Sequence, residues 1–109
     1  MILRHIAEPS DWDVARRSGH YRARSLDTEG FIHCSTEEQL VPVAQAFFAG
    51  RVDLGVLDVE TERLDVPLRW EPPVGTPPAP GPFPHVYGPI PVSAVVAVQP
   101  LADVVRTRR

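Results

Sequence analysis

Residues 31–50 read FIHCSTEEQLVPVAQAFFAG, and the change of hydrophobic period inside this stretch decides the fold. Residues 31–35 alternate, the pattern of a short strand. Thr36 and Gln39 then stand at capping-box spacing, so a helix begins there. Behind them Leu40, Val41, Ala44, Phe47 and Phe48 recur at helical spacing and form one apolar stripe that faces a sheet. Pro42 falls after the first turn, which moves the expected start of the helix a residue or two later, and Gly50 ends it. The next apolar run, residues 54–59, is the strongest strand in the chain and belongs at the centre of its sheet.

Toward the N-terminus, Ile2–Ala7 alternates loosely and is bounded by Glu8-Pro9, which predicts a first strand. Ser10 is the expected N-cap of a short helix over residues 12–18, with Asp11 and Asp13 suiting its dipole and Gly19 closing it. Trp12 is read as a core anchor of that helix. Residues 20–30 are polar and read as a surface loop. Toward the C-terminus, residues 61–64 form a turn and 66–71 a strand, with Leu68 and Trp70 on one face and Arg69 and Glu71 on the other. A Pro/Gly loop follows over 72–82, then an extended segment over 83–87 and a last apolar strand over 92–98. Two early helices with five or six short strands, and no internal repeat, make an α+β domain rather than a βαβ array.

The chain has 109 residues, enough for one domain over 1–109 and too few for two. Its apolar fraction of 43% and charged fraction of 23% are those of a soluble globular protein. A net charge of −3 argues against nucleic-acid binding by general phosphate attraction. The cluster Arg106, Arg108 and Arg109 is read as a solvated tail. All eleven basic residues are arginine, which excludes every lysine-based mechanism. A single cysteine, Cys34, leaves no internal disulfide and no CxxC zinc site. Glu8, Asp11 and Asp13 arrive before any apolar leader segment forms, and the uncharged residues 72–102 hold too many prolines to span a membrane. A cytoplasmic protein with no membrane partner is expected; the oligomeric state is not legible.

Three segments concentrate reactive side chains: residues 31–35, 69–71 and 83–88. On a strand, Phe31, His33 and Ser35 share one face while Ile32 and Cys34 share the other as a core pair. His33 and Ser35 then point together toward a cleft, where they suit a ribose, an amide or a phosphate. The same parity separates His33 from Cys34 and weakens a Cys–His nucleophilic dyad. His85 and Tyr87 share a face with Phe83, in a backbone stiffened by Pro84 and Pro89 and opened by Gly88. A stiff frame suits binding, because little ordering entropy remains to be lost. Glu71, the lone carboxylate beside the uncharged region, is placed to orient a hydroxyl, act as general base or pair with an arginine. His33, His85 and Glu71 also have the composition of a catalytic zinc site, although no HExxH spacing supports it. No GxGxxG occurs, so a Rossmann dinucleotide fold is excluded.

These segments carry a family resemblance. Trp12, the run from Ser25-Leu26 to Glu29-Gly30-Phe31-Ile32-His33-Cys34-Ser35, then Gln39, Arg69-Trp70-Glu71 and Phe83-Pro84-His85-Val86-Tyr87-Gly88 resemble the small bacterial family called domain of unknown function 952. Members are sometimes labelled glutathione S-transferase, but 109 residues do not hold a thioredoxin-like domain plus a helical one. The resemblance implies a fold similar to the ADP-ribosyltransferase superfamily: a compact, bent mixed β-sheet split around a cleft, with NAD as substrate. By that analogy Arg4 or His5 contacts the ligand from the first strand, His33 and Ser35 from the second, and Glu71 or His85 from later segments.

The resulting expectation is a polar cleft of His33, Ser35, Glu71, His85 and Tyr87 that binds NAD, a nucleotide or a related phosphorylated small molecule. No resident cofactor is implied. As an enzyme it would act on an N-glycosidic bond or a phosphoryl group, with Glu71, His33 and His85 catalytic. Histidine serves there as a donor in either protonation state. No glutamate stands in a transferase motif near the C-terminus, which keeps a non-catalytic binding or interaction module as the alternative. A metal-dependent hydrolase is the third option.

Overall fold

The computed structural model describes residues 1–73 and 75–107. β1 (Ile2–Ala7) buries Leu3, His5 and Ala7 on one face, as its alternation requires. α1 (Pro9–Ser18) starts earlier than the serine signal suggests. Glu8 is the N-cap and Pro9 opens the helix, where its fixed φ is already helical and its missing N–H costs nothing. Gly19 ends α1 at φ +91, and its N–H donates to the Ala15 carbonyl.

Residues 20–30 are more structured than a loop. They hold β2 (His20–Tyr21) and α2 (Arg24–Thr28), the latter a single short helical stretch without a side-chain cap. β3 (Ile32–His33) leads through Thr36 into α3 (Glu37–Phe47). The capping box forms as the sequence predicts: Gln39 N–H donates to Thr36 Oγ1 at 3.2 Å, and Thr36 N–H donates to Gln39 Oε1 at 3.0 Å. This cap holds the start at Glu37 in spite of Pro42, which lies inside the helix.

β4 (Gly55–Glu60) is central, between β1 and β8 (Val95–Pro100), with both pairings antiparallel. Its two faces feed different apolar clusters. Leu57 and Val59 join Leu3, Ile32 and Val86 on one side, while Val56 joins Leu40, Ala44, Leu101 and Val104 on the other. A strand buried on both faces needs the near-continuous apolar run that marked it in the sequence.

β5 (Leu68–Glu71), β6 (Phe83–Val86) and β3 form a second three-stranded antiparallel sheet in the order β3-β6-β5, and β7 (Ile90–Pro91) pairs with β2. Residues 92–94 make one 3-10 turn rather than the start of the last strand. α4 (Leu101–Thr107) was not signalled by periodicity; Leu101 and Val104 dock it on the second cluster. Arg106 sits on α4 and pairs with Asp103 at 2.9 Å, whereas Arg108 and Arg109 lie outside the described residues.

Among the described residues the result is an α+β fold with four α-helices and three antiparallel sheets, in place of the single bent mixed sheet and two early helices expected. Between β4 and β8 the chain is rich in proline, and its strands there, β5, β6 and β7, are short and pair apart from the β1-β4-β8 sheet. Among the described residues no helix is long and apolar enough to cross a membrane.

Candidate functional site

The β3-β6-β5 sheet sorts its side chains by parity. Ile32, Val86 and Leu68 align across the three strands and face the core. One residue along, His33, His85 and Arg69 align in the same way and face the opposite side. Phe31, Phe83, Glu71 and Tyr87 belong to that second face.

His85 is the centre of the group. It is buried, and its Nδ1 lies 2.8 Å from Glu71 Oε1. A carboxylate only accepts, so Nδ1 carries the proton of this contact and Nε2 is the ring nitrogen left free of Glu71. Tyr87 O–H donates to the same carboxylate oxygen at 2.5 Å. These two hydrogen bonds hold the Glu71 carboxyl below its ordinary pKa, and the hydrogen bond to Glu71, with burial and the Glu71 charge behind it, raises the Tyr87 phenol. Phe31 stacks on the His85 ring at 4.0 Å between centroids and 19° between planes. Arg69 lies over the Tyr87 ring at 5.2 Å. His33 is exposed, 5.4 Å from His85 between ring centroids, and its Nε2 faces Glu29 at 3.1 Å.

The second histidine of the buried set has a different role. His5 Nδ1 contacts the His33 carbonyl oxygen, which only accepts, so Nδ1 donates and Nε2 accepts from Tyr21 O–H at 2.7 Å. Burial brings the His5 pKa down to about 4, outweighing the carbonyl contact that raises it. Both nitrogens are engaged inside the protein, so His5 fixes β1 against β3 by way of the His33 backbone.

Arg4 and Ser35 form an isolated bridge between the two larger sheets, with Arg4 N–H donating to Ser35 O at 2.8 Å and Ser35 N–H to Arg4 O at 2.7 Å. Around this seam opens a cavity of about 390 Å³. Arg4, His5, Ser35, His33 and His85 line its polar side. Helix α3 and the 72–82 loop supply the opposite, apolar wall through Val43, Phe47, Phe48, Pro73, Pro77 and Pro78. Gln39 ties those two wall elements together, because its Nε2 donates to Pro80 O and Pro82 O at 2.9 Å each.

Of the residues expected at the cleft, His33, Ser35, His85, Arg4 and His5 line this cavity, while Glu71 and Tyr87 stand behind His85. Sequence reasoning missed the α3 and proline-loop wall. Phe47 was placed on the sheet-facing stripe, yet it is 65% exposed at the cavity, while Leu40 and Ala44 alone of that stripe are buried. Trp12 is only partly buried against the first cluster. Cys34 is buried beside Ile32 as parity requires, and burial pushes its thiol up to about 12, far from a nucleophilic thiolate. Among the described residues no group of three His, Cys, Asp or Glu side chains is placed to hold a metal ion. The zinc trio fails because Glu71 accepts from His85 instead of standing beside it as a ligand.

No curated protein matches this chain. Among solved structures it is similar to protein CC0527 from Caulobacter crescentus. The crystal structure shares 33% identity and a TM-score of 0.79, covering 92% of this chain and 85% of that one. The solution NMR structure of the same protein gives 30% identity and a TM-score of 0.68, with 91% and 83% covered. The family described as Protein of unknown function (DUF952) matches residues 6–98, a span that takes in both histidine strands, α3 and the proline loop, with Arg4 and His5 just before it. On that match, the chain belongs to the DUF952 family.

Proposed function

We propose that the cavity binds a nucleotide or a related phosphorylated small molecule, with NAD as the first candidate substrate. The observation that carries this reading is His85. Its Nδ1 is held by Glu71, its ring is clamped by Phe31, and among the described residues no protein group bonds to its Nε2 where the ring lines the cavity. A polar atom held rigidly at a cavity wall without a partner is what a ligand's hydrogen-bonding group completes. The parting of two sheets at the Arg4–Ser35 bridge supports an ADP-ribosyltransferase-like cleft as the setting. In a transfer reaction the attacking hydroxyl would lose its proton to His85 Nε2 as its oxygen bonds to the ribose carbon. Nicotinamide would leave with the electron pair of the broken bond. Glu71 would act as a positioning residue that also favours the imidazolium formed.

Ligand-observed NMR with NAD, ADP-ribose, nicotinamide and simple nucleotides tests the reading. Saturation transfer is expected to the wild type and not to His85→Ala or His33→Ala. Failure of every ligand to bind the wild type would remove the nucleotide reading. A non-catalytic binding module is the second reading, favoured because no Asp or Glu stands among the described lining residues. Binding of NAD with no release of nicotinamide over hours would select it.

A further inference from the structure

The cavity wall carries five ionisable side chains among its described residues: Arg4, His5, His33, Cys34 and His85. Arg4 reaches Glu37 at 2.8 Å and Asp58 at 3.1 Å, so its charge is matched twice over. His85 faces Glu71 at 2.8 Å, and His33 faces Glu29 at 3.1 Å. His5 is kept neutral by burial, and the Cys34 thiol stays protonated. Arg4, the one fixed cation on the described wall, and the two histidines His33 and His85 therefore each meet a carboxylate. A phosphate entering here would give up its water with no unmatched positive charge to replace it. Apart from the uncharged hydroxyls of Ser25, Ser35 and Thr76, the remaining described wall is apolar, and Phe47 stands 65% exposed on it, a large side chain that a ligand's apolar body would cover.

From this charge matching and this wall, we infer that the cavity is entered by the uncharged, apolar part of its ligand. That part is a ring bearing a hydrogen-bonding group for His85 Nε2, and any phosphate of the ligand stays outside. The inference rests on reading this cavity as the ligand site, and it reverses the usual order in which charge leads a phosphorylated ligand into its pocket.

Two simple probes separate the alternatives: benzyl alcohol, which is a ring with one hydroxyl, and inorganic pyrophosphate. Each is titrated into the labelled protein while the ring resonances of Phe47, Phe83 and His85 are followed by NMR. Benzyl alcohol is expected to shift all three, and pyrophosphate none. Phe47→Ser, a change at an exposed position, is expected to weaken benzyl alcohol at least fivefold while the rest of the spectrum is kept. Pyrophosphate shifting His85 as strongly as the alcohol would overturn the inference. So would three unmoved resonances with benzyl alcohol, or an affinity unchanged in Phe47→Ser. Benzyl alcohol binding where the nucleotide panel fails leaves this inference standing and removes the nucleotide reading. Nucleotides binding where benzyl alcohol does not has the opposite meaning.

Discussion

Glu71 accepts hydrogen bonds from His85 and Tyr87 through one oxygen, which makes the carboxylate harder to protonate and the phenol harder to ionise. The effect on Tyr87 comes from the Glu71 charge as well as from the hydrogen bond. Glu71→Gln keeps an acceptor of the same shape and removes the charge, so the Tyr87 titration should move down toward the ordinary 10.0. Absorbance near 295 nm as pH rises reads this directly. Tyr21, buried and also raised, gives the later step and is unaffected. An unmoved Tyr87 titration in Glu71→Gln would mean that the charge contributes nothing. Sequence alone named His85 and Tyr87 from their shared strand face, and Glu71 as the lone carboxylate beside the uncharged region. It did not show that Glu71 reaches His85, because that depends on the register of β5 against β6, which pairs Arg69 with His85 and Glu71 with Phe83.

At the scale of the element, Gln39 does two jobs that lie forty residues apart in the chain. Its Oε1 completes the cap of α3, and its Nε2 holds the backbone of the proline loop. Gln39→Ala removes all three contacts at once. A loss of about 2 kcal/mol is expected, from a cap worth about 1 kcal/mol and two carbonyls left to find water. Urea denaturation measures it; a change below about 0.5 kcal/mol would show that water replaces the side chain fully. The capping half of this role was legible as the spacing of Thr36 and Gln39. The loop half was not, since no local pattern ties a glutamine to carbonyls at Pro80 and Pro82. The same limit explains Phe47. Helical spacing identified the apolar stripe of α3, but which edge meets the sheet and which meets the cavity is decided by the loop packed against it.

For the molecule as a whole, β4 separates two apolar clusters, and the long-range order of the chain depends on pins that cross between sheets. His5 is one such pin. Its pKa is lowered from 6.5 to about 4 by burial, so the unfolded chain binds a proton that the folded chain refuses. Stability therefore falls as pH drops from 6.5 toward 4, by up to about 3 kcal/mol for this residue alone. Chemical denaturation at a series of pH values should show that slope. His5→Gln should be less stable at neutral pH yet lack the slope; a slope retained in the variant would assign it to other groups. The strongly apolar central strand, the two histidine strands and the α+β class were all readable. The division into three antiparallel sheets, and the docking of α4 by Leu101 and Val104, were not, because they follow from which short strands find each other in space.

The alternation across β3-β6-β5 has a consequence for how such a protein changes over generations. Ile32, Val86 and Leu68 hold the fold from one side of the sheet, while His33, His85 and Arg69 present chemistry from the other. Helix rim and proline loop shape the chamber without entering the first apolar cluster. Substitutions at the exposed His33 and Arg69 are thus cheap in folding terms, unlike the buried His85 between them, and lineages sharing this scaffold can diverge in what they recognise while their interiors stay alike.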